Sequence, residues 1–459
     1  MNGYTPDLMI KAFLVWALLF SNFFGISQKS IKLGYNAPNI FIFNDLRDKQ
    51  YLFELKKLSP TYLRFPGGAI ANFYHPFSKT SKYGFLKAEI DMLRDSNLKN
   101  RFGEYLIKDS ISYSGRNALE ELINLKSQID FEVIYVANIT TGSLDDIVKE
   151  IETLLANEIK LVGIELGNEL YFHFYDKIIS LEEYLEKGKV YAKRLKLEFD
   201  TIDIGIVLPH AQFIDGDFKF LGDVNDNFDA WIEAISRESF YDAIILHDYA
   251  HVNSNCWAPN KVDCRWNNLT DYIDVYMEQT FRKYGEIFYK KDIWITEWNL
   301  MGFHKNFLTE SRHLTYIHLY LAKLFDINKQ VSNRITNSFY HSLSVKGTGD
   351  LISNFSGEIH KNAPFDFFVN LEKIESIDST RVTYFDVAKN AGKVDFFSEL
   401  KVYSYYFNHS ESNFEVVANE KLSLFRYDDS TKSLYQILDK EAVFELNKGE
   451  ICVSEHLIE

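Results

Sequence analysis

The sequence predicts an α/β fold, a (β/α)8 TIM barrel followed by a C-terminal antiparallel β-sandwich domain. Three observations lead there. From Ile31 to about Leu343, short β-branched or aromatic runs alternate with longer amphipathic stretches, the pattern of βα units on a parallel sheet. There are eight such runs, enough to close a barrel. After Ser342 the helical pattern gives way to short alternating runs separated by Asn, Gly, Asp and Ser, which reads as strands linked by tight turns.

In chain order, residues 1–27 come first. Within them, Met9 to Ser27 has one Lys, an apolar run over 12–20, then Gly25 and Ser27. This is the layout of a signal peptide, and the run is shorter than the roughly 20 residues that span a bilayer. The expected product is secreted or periplasmic, with no stable membrane span after cleavage. The barrel is assigned to 28–375, with strands at 31–35, 61–65, 131–137, 161–166, 202–208, 243–247, 293–296 and 335–340. Helices at 46–58, 144–155, 181–197, 228–235, 272–288 and 314–327 repeat apolar residues every three or four positions. The 74 residues from Arg64 to Asn138 exceed one βα unit, so an insertion around 74–111 is expected to wall one side of a cleft. The sandwich is assigned to 376–459, after a last helix at 364–374, with strands at 381–387, 400–407, 414–418, 422–427, 442–446 and 450–453.

Composition narrows the function. Lys plus Arg number 50 against 65 Asp plus Glu, a net charge of −15, which disfavours nucleic acid because its phosphates need basic partners. Aromatic residues make up 16% of the chain, enough for a thick core and for surfaces facing sugars. Cys256 and Cys264, eight apart in a loop-like stretch, are a possible disulfide in an oxidising compartment.

Reactive groups of such barrels sit at the C-terminal ends of strands. One apolar run ends in Asn168 and Glu169, and another in Glu297, followed by Trp298, a ring expected with Tyr249 to face the sugar, and then by Asn299. Two carboxylates so placed suit glycoside hydrolysis: one protonates the departing oxygen while the other attacks the anomeric carbon or activates water. Arg64 ends another strand ahead of Pro66, Gly67 and Gly68, where it can hold a carboxylate ionised. His247 and Tyr249, two apart, face the same side, and a phenol donating to a carboxylate keeps it deprotonated. Glu165 is expected to point inward onto Arg64. Asn138 and His341 are chosen by strand-end position, and His75, Tyr74 and Trp257 as loop residues that line the cleft. His247 and His251 would serve a metal only on a helix with a third ligand; neither a metal nor an organic cofactor is expected.

Taken together, RFPGG, GNE, HDY and TEWN resemble the retaining glycoside hydrolases of clan A, (β/α)8 barrels with an Asn-Glu acid/base on strand four and a Glu nucleophile on strand seven. ELGNE and HDY are similar to the heparanase and β-glucuronidase family, TEWN to the β-xylosidase and α-iduronidase family, and RFPGG to the α-L-arabinofuranosidases. Leu170 follows GNE where several relatives have Pro. The resemblance implies Glu169 as acid/base, Asn168 as the group binding the sugar 2-hydroxyl, Glu297 as nucleophile and Tyr249 as its hydrogen-bond donor. The expected function is a secreted retaining glycosidase cleaving a poly- or oligosaccharide. The alternatives are a non-catalytic carbohydrate-binding protein on the same scaffold, and a transglycosidase.

Overall fold

The computed structural model describes residues 30–457 except 38–43, 45, 79–83, 94–98, 101, 104–116, 215–216, 221–226, 251, 253–255, 257, 259, 301–307, 345–349, 356–357, 373–376, 386–387, 399–400, 419–423, 429–432, 438–441 and 449. The expected signal segment, His251 and Trp257 lie outside the described residues.

Eight parallel strands close a barrel in sequence order: β1 (Lys32–Asn36), β2 (Tyr62–Phe65), β3 (Glu132–Ala137), β4 (Leu161–Leu166), β5 (Asp203–Val207), β6 (Ala243–Tyr249), β7 (Asp292–Asn299) and β8 (Ile335–His341). Closure is between β8 and β1, with Lys32 opposite Asn337 and Asn36 opposite His341. Trp294 of β7 fills the interior where Gly163 and Gly205 leave room; a Cβ on Gly163 would lie 2.2 Å from the indole. The fourth and fifth strands are thus packed from inside by the indole.

The helices begin where the sequence supplies caps. Ser143 accepts from the Asp146 N–H ahead of helix Leu144–Ala156, and Ser180 forms a capping box with Glu183 ahead of Leu181–Glu198. The first of these buries Ile147, Val148, Ile151 and Leu154 on one face. Helix Glu310–Gln330 is buried on nearly all sides, because it runs between the barrel and the C-terminal sheet: His318 stacks on Tyr405 with centroids 3.5 Å apart, and Thr380 donates to the Ala322 carbonyl.

The C-terminal part is a six-stranded antiparallel sheet. Its strands are β9 (Ser379–Tyr384), β10 (Ala391–Phe397), β11 (Lys401–Asn408), β12 (Leu424–Asp428), β13 (Ser433–Ile437) and β14 (Ile451–Leu457), in spatial order β9-β10-β11-β14-β12-β13. Phe414–Ala418 pairs with Ala442–Leu446 as a separate two-stranded sheet. Strands β10 and β13, and the hairpins Ala211–Ile214/Asp217–Phe220 and Ile352–Phe355/Glu358–Lys361, go beyond the expected elements. Each is short or interrupted by Gly, Lys or Asp, so pairing with a neighbour rather than propensity makes it a strand. The helix expected at 272–288 also starts earlier. Val262–Asp271 runs through a π-helical turn at Tyr272–Tyr276 into Met277–Ile287. A 3₁₀ turn at Ala69–Phe73 leads into the expected insertion at 74–111, whose described residues include a bridge between Tyr74 and Phe85 and helix Lys87–Ile90.

Candidate active site

Strand register brings the polar strand ends into one layer. Asn36 stands between Arg64 on β2 and His341 on β8, and on the far side of the barrel His247 pairs with Glu297 after a bulge in β6–β7. Strand β6 runs on to Tyr249, so His247 and Tyr249 both face inward.

Glu297 lies in a closed cage, its side chain 6% exposed. Its Oε1 accepts from Arg64 Nη1 at 2.7 Å and from Asn36 Nδ2 at 2.8 Å. Its Oε2 accepts from Tyr249 Oη at 2.7 Å and lies 3.7 Å from His247 Nδ1 and 3.9 Å from His341 Nε2. Burial would push the carboxyl up. The charges of His247, His341 and Arg64, with the Tyr249 hydrogen bond, outweigh it and hold Glu297 well below the usual carboxylate range.

Arg64 is fully buried and joins the two sides of the site. Its Nε and Nη2 donate to Glu165 at 2.8 and 2.5 Å, and Nη2 also donates to Asn168 Oδ1 at 2.9 Å. Burial weakens a guanidinium's hold on its proton, but Glu165, Glu297 and Glu169 more than offset that, so its pKa is raised. Asn168 Nδ2 is buried and has no hydrogen-bond partner among the described residues, so an amide donor at the site is left unsatisfied by them.

Glu169 is more open, its side chain 26% exposed, and its Oε1 accepts from His247 Nδ1 at 2.9 Å. Burial lowers the affinity of His247 for its proton, but Glu297 and the hydrogen bond to Glu169 raise it above the ordinary imidazole value. The backbone turns sharply here. Gly167 has φ +83°, where a Cβ would lie 2.6 Å from Leu170, and Glu169 itself has φ +50°. A carboxylate oxygen of Glu169, one of Glu297 and a ring nitrogen of His247 all lie within 4.8 Å of one another. These three could also share a metal ion, but a cation would compete with the guanidinium already on Glu297 and with the hydrogen bonds of Tyr249 and His247.

The other expected residues divide. Trp298 does not face the cleft. Its ring is 1% exposed and stacks on Tyr320 with centroids 4.5 Å apart, because the residue after Glu297 on a strand points outward to the helices. Tyr74 is likewise buried, edge-on to Phe65. Asn138 is buried and donates to Thr141 Oγ1 at 3.1 Å, and His75 pairs with Glu89 at 2.8 Å beside it. His341 remains partly exposed, 31% for its side chain. Cys256 and Cys264 are joined by a disulfide, Cα–Cα 5.4 Å.

Three residues escaped the sequence reading. Asn36 bonds Glu297, yet stands one position past the expected end of β1. Asn72 grips the peptide groups of Asn168 from a 3₁₀ turn that no periodicity marks. Asp248, buried between His247 and Tyr249, accepts from Gln212 at 3.0 Å, Tyr320 at 2.7 Å and Tyr272. The outward phase of Asp248 on β6 was the available signal.

An eight-stranded parallel barrel with clustered carboxylates at the ends of its fourth and seventh strands is the class of protein defined so far. By sequence, the chain matches no protein-family model and no curated protein. By fold, it is similar to a family 51 α-L-arabinofuranosidase from Bifidobacterium longum, at TM-score 0.61 and 12% identity over 94% of this chain and 97% of that one. An α-L-arabinofuranosidase from Thermotoga maritima gives 0.56 at 16% identity, over 94% and 97%. A 4-O-α-L-rhamnosyl-β-D-glucuronidase from Fusarium oxysporum gives 0.51 at 13%, over 92% and 95%. At these identities the likeness is one of fold, and it spans the barrel and the C-terminal sheet together.

Proposed function

We propose that this chain is a retaining glycoside hydrolase, with Glu297 as nucleophile and Glu169 as acid/base. The observation that carries the reading is the short approach of the two carboxylates, within 4.8 Å. Retention works with carboxyl groups about 5–5.5 Å apart, and inversion needs about 6.5–9.5 Å to admit a water. The asymmetry of their surroundings supports the division of roles: a nucleophile must be ionised at rest, and Glu297 is caged by cationic and neutral donors.

In the first step a Glu297 oxygen bonds the anomeric carbon. Oε2, with one hydrogen bond against two on Oε1, is the better attacking atom. The glycosidic C–O bond breaks, and the leaving oxygen takes the proton of Glu169. In the second step a water oxygen attacks the anomeric carbon and gives its proton to the Glu169 carboxylate, while the bond to Glu297 breaks. The unpartnered amide of Asn168 suits a sugar hydroxyl beside the reacting carbon. The leader pattern at 9–27 and the Cys256–Cys264 disulfide support export to an oxidising compartment. Among the described residues no helix is long and apolar enough to cross a membrane.

Because arabinofuranosidases are among the similar folds, aryl α-L-arabinofuranosides are the first substrates to test, followed by a glycan panel read by mass spectrometry with Glu297→Ala as blank. Release of the sugar with its anomeric configuration kept, observed by proton NMR, is the expected result. Inverted product, or equal release by the blank, would overturn the reading.

A further inference from the structure

We propose that Asn72 is the positioning residue of the protonation step: its side-chain amide holds the turn that aims Glu169. The proposal rests on the reading of Glu169 as the acid.

Strand β4 ends at Leu166, and the next three residues have left the sheet. Asn72 replaces the lost ladder there. Its Oδ1 accepts from the Asn168 N–H at 2.8 Å, and its Nδ2 donates to the Asn168 carbonyl at 2.7 Å. A primary amide offers one acceptor and one donor side by side, as a neighbouring strand would. Asn72 is itself fully buried, and its own carbonyl accepts from Thr140 Oγ1. The residue that follows this clamp is Glu169 at φ +50°, a region that side chains other than glycine adopt only when the surroundings impose it. Among the described residues the side chain of Glu169 has one hydrogen bond, from His247. Glu297 takes its hydrogen bonds from Arg64, Asn36 and Tyr249; of these only Arg64 touches the clamped residue, through Asn168 Oδ1, and it is held independently by two bonds to Glu165. Loosening Asn72 therefore misplaces the proton donor and leaves the nucleophile's donors in place. Substrates that need a proton on the departing oxygen should lose most, because any shift of the Asn168 amide is shared by both kinds of leaving group.

The test compares Asn72→Asp and Asn72→Ala with the unaltered full chain. Asp keeps the size and the acceptor but turns an oxygen toward the Asn168 carbonyl. On phenyl glycosides kcat/KM should fall about 10–100-fold, part of what a positioned general acid contributes. On the 2,4-dinitrophenyl glycosides of the same sugars, whose leaving group needs no proton, the loss should stay under about 3-fold. The sugars are α-L-arabinofuranose, β-D-xylose and β-D-glucuronic acid. An equal loss on both leaving groups, or none, overturns the proposal. A second readout does not need turnover: amide hydrogen exchange over residues 166–170 should accelerate in both variants while β7 is unchanged. Unaltered exchange there overturns the proposal even if activity falls. If the unaltered chain hydrolyses none of these glycosides and none of the glycan panel, the glycosidase reading fails, and exchange alone decides whether Asn72 holds the turn.

Discussion

The two carboxylates of the site stand three strands apart on the same face of the barrel, and they are held in opposite ways. Glu297 is 6% exposed, bonded by Arg64, Asn36 and Tyr249, and lies within its strand, just past a bulge. Glu169 is 26% exposed, bonded on its side chain by His247, and sits beyond the end of its strand in a left-handed conformation. One group is defined by fixed donors that keep it charged. The other is defined by the path of the backbone and left open to solvent. The same strand-end position thus yields two different environments, because the electrostatics surround one carboxylate and the conformation places the other.

The largest effect expected from breaking this comparison is at the caged side. Glu297→Ala should lower turnover on the order of 10⁵-fold, the scale seen when a nucleophile is deleted, with the thermal melting curve retained; turnover within tenfold of normal would refute its role. At the open side, Glu169→Ala should cost about 10²–10⁴-fold on glycosides with poor leaving groups, and addition of azide should restore rate by yielding a glycosyl azide of retained configuration. An inverted azide product would exchange the two roles.

Arg64→Met asks whether the sides share one support. It leaves Glu165 buried without its cation, so urea unfolding should show a loss of about 3–5 kcal/mol; a loss below about 1 kcal/mol would mean that Glu165 finds another partner. Smallest is Tyr249→Phe. Glu297 must be ionised to attack, and its pKa lies below the usual range. Losing one hydrogen bond raises it, so the acid limb of kcat/KM moves to higher pH, by about one unit. A limb that stays in place would assign the depression to the cations alone.

Much of this was legible in the chain. The eight strands follow from alternation, because each must be apolar on both faces, and Glu169 and Glu297 stand out because each is a charge ending such a run. Arg64 with Glu165 was legible for the same reason. Trp298 misled: alternation along β7 turns it outward when Glu297 faces in, and an aromatic beside a reactive residue reads as a sugar platform only if that phase is ignored. Strand β10 was hidden by its interrupting Gly, Lys and Asp and β13 by its shortness, and Asn36, Asn72 and Asp248 because single polar residues carry no period.

The sequence by itself determined the repeating βα order, the strand-end position of Glu169 and Glu297, and the presence of a cation and an acid, Arg64 and Glu165, on the second and fourth strands, since these are properties of local pattern. Only the tertiary structure decided which oxygens meet. The 4.8 Å grouping of Glu169, His247 and Glu297, the layer that sets Asn36 against Arg64 and His341, and the clamp of Asn72 on a residue 96 positions away depend on barrel closure and register. Those join residues far apart in the chain, and no local pattern records the distance between them.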